Sequence, residues 1–172
     1  MKQLFATAFI ALSLAGCSSM EHKAMSGLTS NKSVEINAAP SAVWNIVKDF
    51  DGLNKWHPAF SNDVLTKGAN GQVGAARAIT LKDGPTFTEE LTAYNDAKMM
   101  YSYKIIESPL PVDKYTSTMT VTPKGNGSVI TWVGNYITKA GSGKTVAPNA
   151  DCLLPFSHFL DVIQTRLISA VD

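Results

Sequence analysis

The chain has 172 residues, of which 45% are hydrophobic and 17% are charged, an ordinary composition for one globular domain. Its 15 Lys and Arg residues against 14 Asp and Glu residues give a formal net charge of +1. Binding to a nucleic-acid backbone requires a basic face, so this balance predicts no nucleic-acid partner.

The first sixteen residues are typical of a bacterial signal peptide. Lys2 precedes the apolar run "LFATAFIALSLA", which is too short to span a bilayer. The run leads into "LAGC", which resembles a lipobox and predicts that Cys17 becomes the first residue of the mature protein and carries lipid. An ordinary secretory signal and an internal anchor are the alternatives. The lipobox predicts a lipid-anchored protein of the bacterial cell envelope, and Ser18 favours the outer membrane, facing the periplasm.

The next residues predict a tether and the start of a single domain. Residues 17–32 are the lipidated cysteine and a flexible, polar tether, and the domain occupies residues 33–172. It opens with the short strand "SVEIN" (33–37). A helix follows in "APSAVWNIV", with Pro40 in its first turn. The stretch "DFDGLNKWHPAF" (49–60) then predicts a second short helix or turn with Phe50 and Leu53 in the core.

Extended segments and one long helix complete the domain. The segment 150–171 carries apolar residues at spacings of three and four, which predicts a long amphipathic helix. We therefore expect an α+β fold, with two short helices after strand 1 and a curved antiparallel sheet of six to seven strands wrapped around the C-terminal helix. Turn signals such as "KGNG" separate the extended segments, which are about 62–67, 73–81, 86–94, 98–107, 114–123 and 128–138.

Strand alternation places two opposite charges on inward faces. Arg77 shares its face with Val73, Ala75 and Ile79, and Glu89 lies on the apolar face of the next segment. A lone buried charge is costly, so the two residues either form a structural ion pair or line a cavity and meet a polar ligand group. In the second case Arg77 would hold an oxyanion and Glu89 would transfer a proton.

Five motifs carry a resemblance to a known superfamily: "P-x-x-V-W" (40–44), "DFDGLNKWHP" (49–58), "VGAAR" (73–77), "EELTAYND" (89–96) and "ESPLPVDKY" (107–115). The chain resembles the SRPBCC superfamily, the helix-grip fold of START lipid-transfer domains, birch-pollen-type allergens and polyketide cyclases. Within it, the pattern is similar to the polyketide cyclase/dehydrase and lipid-transport group. That group includes MxaD-like bacterial proteins and, more distantly, the plant lachrymatory-factor synthase, in which an arginine and a glutamate are the proposed proton-transfer pair.

The resemblance implies a deep cavity between the sheet and the C-terminal helix, with the segment after the short helices at its mouth. His57 there could titrate near neutral pH and act as a base, although a satisfied loop histidine is the commoner case. Most inward aromatics are core, and those at the open end would form a pocket. The predicted cavity residues are Trp56, His57, Phe60, Arg77, Glu89, Tyr101, Tyr103, Tyr115, Trp132, and Phe156 and Phe159 as a lid.

Three functions follow as alternatives. The first is binding or transport of a small hydrophobic or amphipathic molecule in the periplasm. The second is a cofactor-independent cyclase, isomerase or dehydratase that uses Arg77 and Glu89. The third, implied by the MxaD-like resemblance, is an accessory protein of a periplasmic dehydrogenase. His22, His57 and His158 lack ligand spacing, so no metal is expected, and no cofactor is expected either.

Overall fold

The computed structural model describes residues 27–82, 84–109 and 111–138. The elements in chain order are β1 (Leu28–Ile36), α1 (Pro40–Val47), α2 (Leu53–Trp56), β2 (Phe60–Lys67), β3 (Ala76–Leu81), β4 (Thr86–Asn95), β5 (Met100–Glu107), β6 (Val112–Lys124) and β7 (Gly127–Thr138). The strands form one curved sheet in the order β1-β7-β6-β5-β4-β3-β2, and every neighbouring pair is antiparallel. The predicted sheet of six to seven antiparallel strands, with two short helices after the first, is confirmed among the described residues.

The starts of β1 and β3 differ most from the prediction. β1 begins at Leu28, opposite Tyr136, so residues 28–32 pair with the long strand β7 instead of belonging to the tether. β3 begins only at Ala76, because Gly74 adopts a φ of 89° in the turn that precedes it. Val73, predicted to face inward, lies in that turn and is 59% exposed, so this assignment was wrong.

Several predictions fall on residues that the structure does not describe. The long helix at 150–171, with Phe156 and Phe159, lies outside the described residues. The same holds for the signal peptide at 1–16 and for Cys17. Among the described residues, no helix is long and apolar enough to cross a membrane.

The core lies on the face of the sheet that carries the two helices. Helix α1 begins at Pro40, whose fixed φ suits the first helical position, and its apolar side is buried against β6 and β7. The Trp44 ring lies 6.1 Å from the Tyr101 ring, which ties α1 to the middle of the sheet. Phe50 and Leu53 are buried, as predicted.

Strand alternation operates as predicted in β5, β6 and β7. A two-residue turn joins β6 to β7, and Gly125 supplies its positive φ of 56°. This tight turn keeps the two long strands in register, so their inward residues meet across the sheet. The buried side chains of these strands are Tyr101, Tyr103, Val112, Tyr115, Ser117, Met119, Val121, Ser128, Ile130, Trp132 and Tyr136.

Candidate functional site

A buried ion cluster links three neighbouring strands. Arg77 of β3 lies directly opposite Glu89 of β4 in the sheet register. The Arg77 Nε donates to Glu89 Oε2 at 2.9 Å, and Nη2 donates to the same oxygen at 2.6 Å. Arg77 Nη1 also donates to Asp63 Oδ2 of β2 at 3.2 Å. The three side chains are 1%, 3% and 0% exposed, so the cluster is removed from water.

The loop after α1 closes the cluster from above. Arg77 Nη1 donates to the backbone carbonyl of Phe50, and the guanidinium lies 4.2 Å from the centre of the Phe50 ring. The Tyr103 ring centre lies 5.4 Å from the same guanidinium. Four of the five N–H groups of the guanidinium therefore already have acceptors. Little donor capacity remains for a ligand.

Burial dominates the electrostatics of the cluster. It raises the pKa of Glu89 and the pKa of Asp63, because a charged carboxylate loses its hydration, while the positive charge of Arg77 opposes both shifts. Burial alone would lower the pKa of Arg77, but the two carboxyl groups outweigh it and raise that pKa. Arg77 therefore stays charged, and it holds the site together.

The prediction that Arg77 and Glu89 face the interior is confirmed, and the two form a pair. Sequence reasoning missed Asp63, the second carboxyl group. A register shift between Phe60 and Asn62 in β2 breaks simple alternation, so Asp63 points inward while Val64 is exposed. The inward position of Arg77 could have predicted this second carboxyl group, because a guanidinium can bind carboxylates on both neighbouring strands. A catalytic role for Arg77 and Glu89 stays a prediction.

An aromatic wall adjoins the cluster on β5, β6 and β7. Trp132 Nε1 donates to Tyr103 Oη at 3.0 Å and to Ser117 Oγ at 2.6 Å, so this buried indole is satisfied within the sheet. A side chain at Gly134 would place its Cβ 3.0 Å from the Tyr115 hydroxyl, so glycine lets that ring lie flat against β7. Burial raises the pKa of Tyr115 to about 12 and raises the pKa values of Tyr101 and Tyr103. These phenols stay neutral.

The residues predicted to gate a cavity lie in the interior. Trp56, His57 and Phe60 are all buried, and the His57 ring centre lies 4.9 Å from that of Phe60 and 6.3 Å from that of Trp132. Their predicted position at the border of a cavity mouth stays a prediction. Their membership of a ligand cavity stays a prediction.

The burial of His57 favours the commoner of its two interpretations, a satisfied histidine, over a base that titrates near neutral pH. Burial lowers its pKa to about 4, because the charged imidazolium would lose its hydration. Its Nδ1 accepts a hydrogen bond from the backbone N–H of Ala59 at 3.3 Å, which places the proton of the neutral ring on Nε2. At neutral pH this side chain is an uncharged part of the core.

A cavity of about 360 Å³ opens where β5 ends and β6 begins. Its apolar lining comes from Ile105, Val112 and Tyr115, and of these Val112 and Tyr115 are buried. Tyr115 is the member of the predicted cavity set that lines it. The other lining residues are Ile106, Glu107, Ser108, Asp113 and Lys114.

No group of His, Cys, Asp and Glu side chains suited to a metal ion occurs within the described ranges 27–82, 84–109 and 111–138. The buried cluster itself is occupied by a guanidinium, which leaves no place for a cation between its carboxyl groups. The expectation of no metal and no cofactor stays a prediction.

Solved structures share this architecture. The protein XoxI from Bacillus cereus is 26% identical with a TM-score of 0.71, over 84% of this chain and 99% of that one. An uncharacterised protein from Bacillus thuringiensis is 28% identical with a TM-score of 0.67, over 81% and 98% of the two chains. A norcoclaurine synthase point mutant from Thalictrum flavum, in complex with a transition-state analogue, is 21% identical with a TM-score of 0.66, over 86% and 98%. The chain thus has the Bet v 1/START (SRPBCC) fold.

The family follows from the sequence as well as the fold. The family model described as "Polyketide cyclase / dehydrase and lipid transport" matches residues 28–150. The chain belongs to this family, which confirms the predicted SRPBCC group. The narrower MxaD-like assignment stays a prediction.

Proposed function

We propose that this domain binds a small hydrophobic or amphipathic molecule, which enters at the cavity between the end of β5 and the start of β6. The observation that carries the proposal is this cavity, a partly open groove of about 360 Å³, lined largely by polar atoms, which reaches from solvent-exposed residues to the buried Tyr115. Pockets for small molecules measure about 300–1,000 Å³. The description of the family, which includes lipid transport, agrees with this function.

The lining suits a molecule with one apolar and one polar end. Ile105, Val112 and the Tyr115 ring offer apolar surface on the inner side. Burial of apolar ligand surface there would contribute about 25 cal/mol per Å² before ordering costs are subtracted. The exposed residues Glu107 and Lys114 would leave the polar end of the ligand in contact with water.

The backbone at the cavity supports a functional role. Lys114 has a φ of 51°, a left-handed conformation that is unfavourable for a residue other than glycine. It lies within the register shift between Asp113 and Thr116, where β6 bulges away from β7. Such strain persists where the surrounding structure enforces it, and it is frequent at ligand sites.

Binding can be tested with the fluorescent apolar dye Nile red and its displacement by fatty acids and fatty alcohols. Val112→Trp fills the cavity and should lower the affinity at least about tenfold, which is 1.4 kcal/mol. Val64→Trp is the matched control, since Val64 is 49% exposed on β2 and does not line the cavity. Equal affinities for two folded variants would exclude this cavity as the binding site.

An enzyme of the cyclase, isomerase or dehydratase kind is the second candidate. One observation favours it: burial raises the pKa of Glu89, as is common for a carboxyl group that exchanges a proton during catalysis. If the protein is an enzyme, Glu89→Gln should keep its ligand and lose turnover. If it is a carrier, the same variant should bind and release its ligand as the wild type does. The engaged donors of Arg77 argue against its use as an oxyanion holder.

The proposal includes a lipid anchor at Cys17 on the periplasmic side of the outer membrane, supported by the lipobox "LAGC". Labelling with radioactive palmitate should mark the wild-type chain and leave Cys17→Ser unlabelled. An accessory role beside a periplasmic dehydrogenase would appear as co-purification with that enzyme, which cavity variants would leave intact.

A further inference from the structure

We infer that Asp63 is a neutral carboxylic acid at neutral pH, so that the buried cluster consists of one charged guanidinium and one charged carboxylate, that of Glu89. This assignment is independent of the ligand proposed above. It concerns a proton on Asp63 in the core, a residue whose inward position strand alternation did not predict.

The first argument is charge balance. One guanidinium and two carboxyl groups, all ionised, would leave a net charge of −1 in a cluster whose side chains are at most 3% exposed. An uncompensated buried charge is among the costliest features of a folded protein, and a carboxyl group usually takes up a proton instead. One proton makes the cluster neutral.

The second argument decides which carboxyl group holds the proton. Glu89 Oε2 receives two hydrogen bonds from the guanidinium, at 2.9 and 2.6 Å, which are charge-assisted and favour the ionised form. Asp63 receives a single, longer hydrogen bond from Arg77 at 3.2 Å. Its other donor is the uncharged backbone N–H of Leu53, at 2.8 Å. The ionised form is therefore better stabilised at Glu89.

The second oxygen of Asp63 supports the same assignment. Asp63 Oδ1 is buried, and no donor among the described residues reaches it. Asn54, which follows Leu53 in α2, also has a buried Oδ1 without a donor among those residues. A proton on Asp63 supplies a donor where a negative charge would add a further unmet acceptor.

The remaining charges near Asp63 do not reverse this balance. Burial raises the pKa of Asp63 more than Arg77 and the Leu53 N–H lower it. The carboxylate of Asp51 raises it further, and the ammonium of Lys55 lowers it. Lys55 is exposed, so water and salt screen its charge. Facing Glu89 are Arg77 and Asp63, and the phenols of Tyr101 and Tyr103 lie next to Arg77.

One consequence concerns the ligand. A neutral Asp63 leaves Glu89 as the counterion that cancels the charge of Arg77. The cluster then presents no net charge to the interior, so a carboxylate or phosphate gains no Coulombic attraction from Arg77. We expect the part of any ligand that approaches this cluster to be uncharged.

The test is carbon-13 NMR of the full chain labelled at the side-chain carboxyl groups of aspartate. The expected result at neutral pH is one carboxyl resonance at the position of a neutral acid, absent from Asp63→Asn. If no aspartate resonance lies at the position of a neutral acid at neutral pH, the inference is overturned. A chain labelled at glutamate completes the test, since a neutral resonance that disappears in Glu89→Gln overturns it as well.

Stability supplies an independent readout. Asparagine imitates a neutral aspartic acid, so Asp63→Asn should change the folding equilibrium constant by less than about tenfold. Glu89→Gln removes the charged partner of Arg77 and should lower the constant by at least about a hundredfold. The reverse order of the two effects overturns the assignment. If Asp63→Asn does not fold, the labelled wild-type chain decides alone.

Discussion

Glu89 and Glu90 are consecutive residues of β4, and each pairs with a cation on a neighbouring strand. Glu89 points inward, and its side chain is 3% exposed beside Arg77. Glu90 points outward to Lys104, at 2.8 Å, where the two side chains are 27% and 43% exposed. A glutamate therefore pairs with a cation twice, once away from water with arginine and once in water with lysine.

The difference lies in what each pair needs to persist. The inner pair has no water to satisfy its remaining donors, so the Phe50 carbonyl and Asp63 also accept hydrogen bonds from Arg77. The outer pair can exchange its partner for water at little cost. Because strand alternation separates the two environments by one residue, a single register slip would exchange them. The four predictions below address this contrast.

The largest effect should come from removal of the inner cation. Arg77→Met leaves Glu89 and Asp63 facing each other in the core, and it should lower the free energy of unfolding by about 3–5 kcal/mol in urea denaturation. Arg77→Lys keeps the charge without the planar fork and should lose less. A loss below about 1 kcal/mol for Arg77→Met would contradict the described packing.

The second effect depends on pH. The unfolded state binds a proton on His57 below about pH 6.5, while the folded state binds it only below about pH 4. Stability from this residue is therefore complete above the first value and is lost as pH falls between the two, by about 3 kcal/mol at most.

His57→Asn should abolish this loss, because asparagine does not titrate. The measurement is the difference in free energy of unfolding between wild type and variant across that pH range, in which contributions from Asp63 and Glu89 cancel. A difference that does not change with pH would mean that His57 titrates normally in the folded protein.

A third, smaller effect concerns the aromatic wall. Tyr103→Phe removes one of the two acceptors of Trp132 Nε1 and should cost about 1 kcal/mol, since Ser117 remains. Combining it with Ser117→Ala should cost more than the two separate losses, because the buried indole N–H then loses both acceptors named here. Simple additivity in urea denaturation would count against this network.

The smallest effect belongs to the outer pair. Glu90→Gln should leave the free energy of unfolding unchanged within the error of urea denaturation, since its carboxylate is accessible to water and salt screens it. This variant is the matched control for Glu89→Gln. Comparable losses for both would remove the distinction between the two faces of β4.

Local patterns were sufficient to predict the sheet, the two short helices and the inward position of Arg77 and Glu89. Period-two alternation reports the face of a strand wherever the register is regular. The inward position of Asp63 was not predicted, because a bulge in β2 is a tertiary feature without a clear sequence signal. The sequence left two interpretations of His57 open for a related reason: a loop histidine has an ordinary pKa unless the fold buries it. The cavity beside Val112 likewise depends on how two strand ends separate in space.

Native mass spectrometry of residues 18–172, followed by organic extraction, tests the central claim most directly. The account predicts a defined mass in excess of the chain, a small hydrophobic or amphipathic molecule in the extract, and a lower bound fraction in Val112→Trp than in Val64→Trp. A chain that carries no such molecule and also ignores fatty acids, quinones and aromatic polyketides would contradict ligand binding as its function.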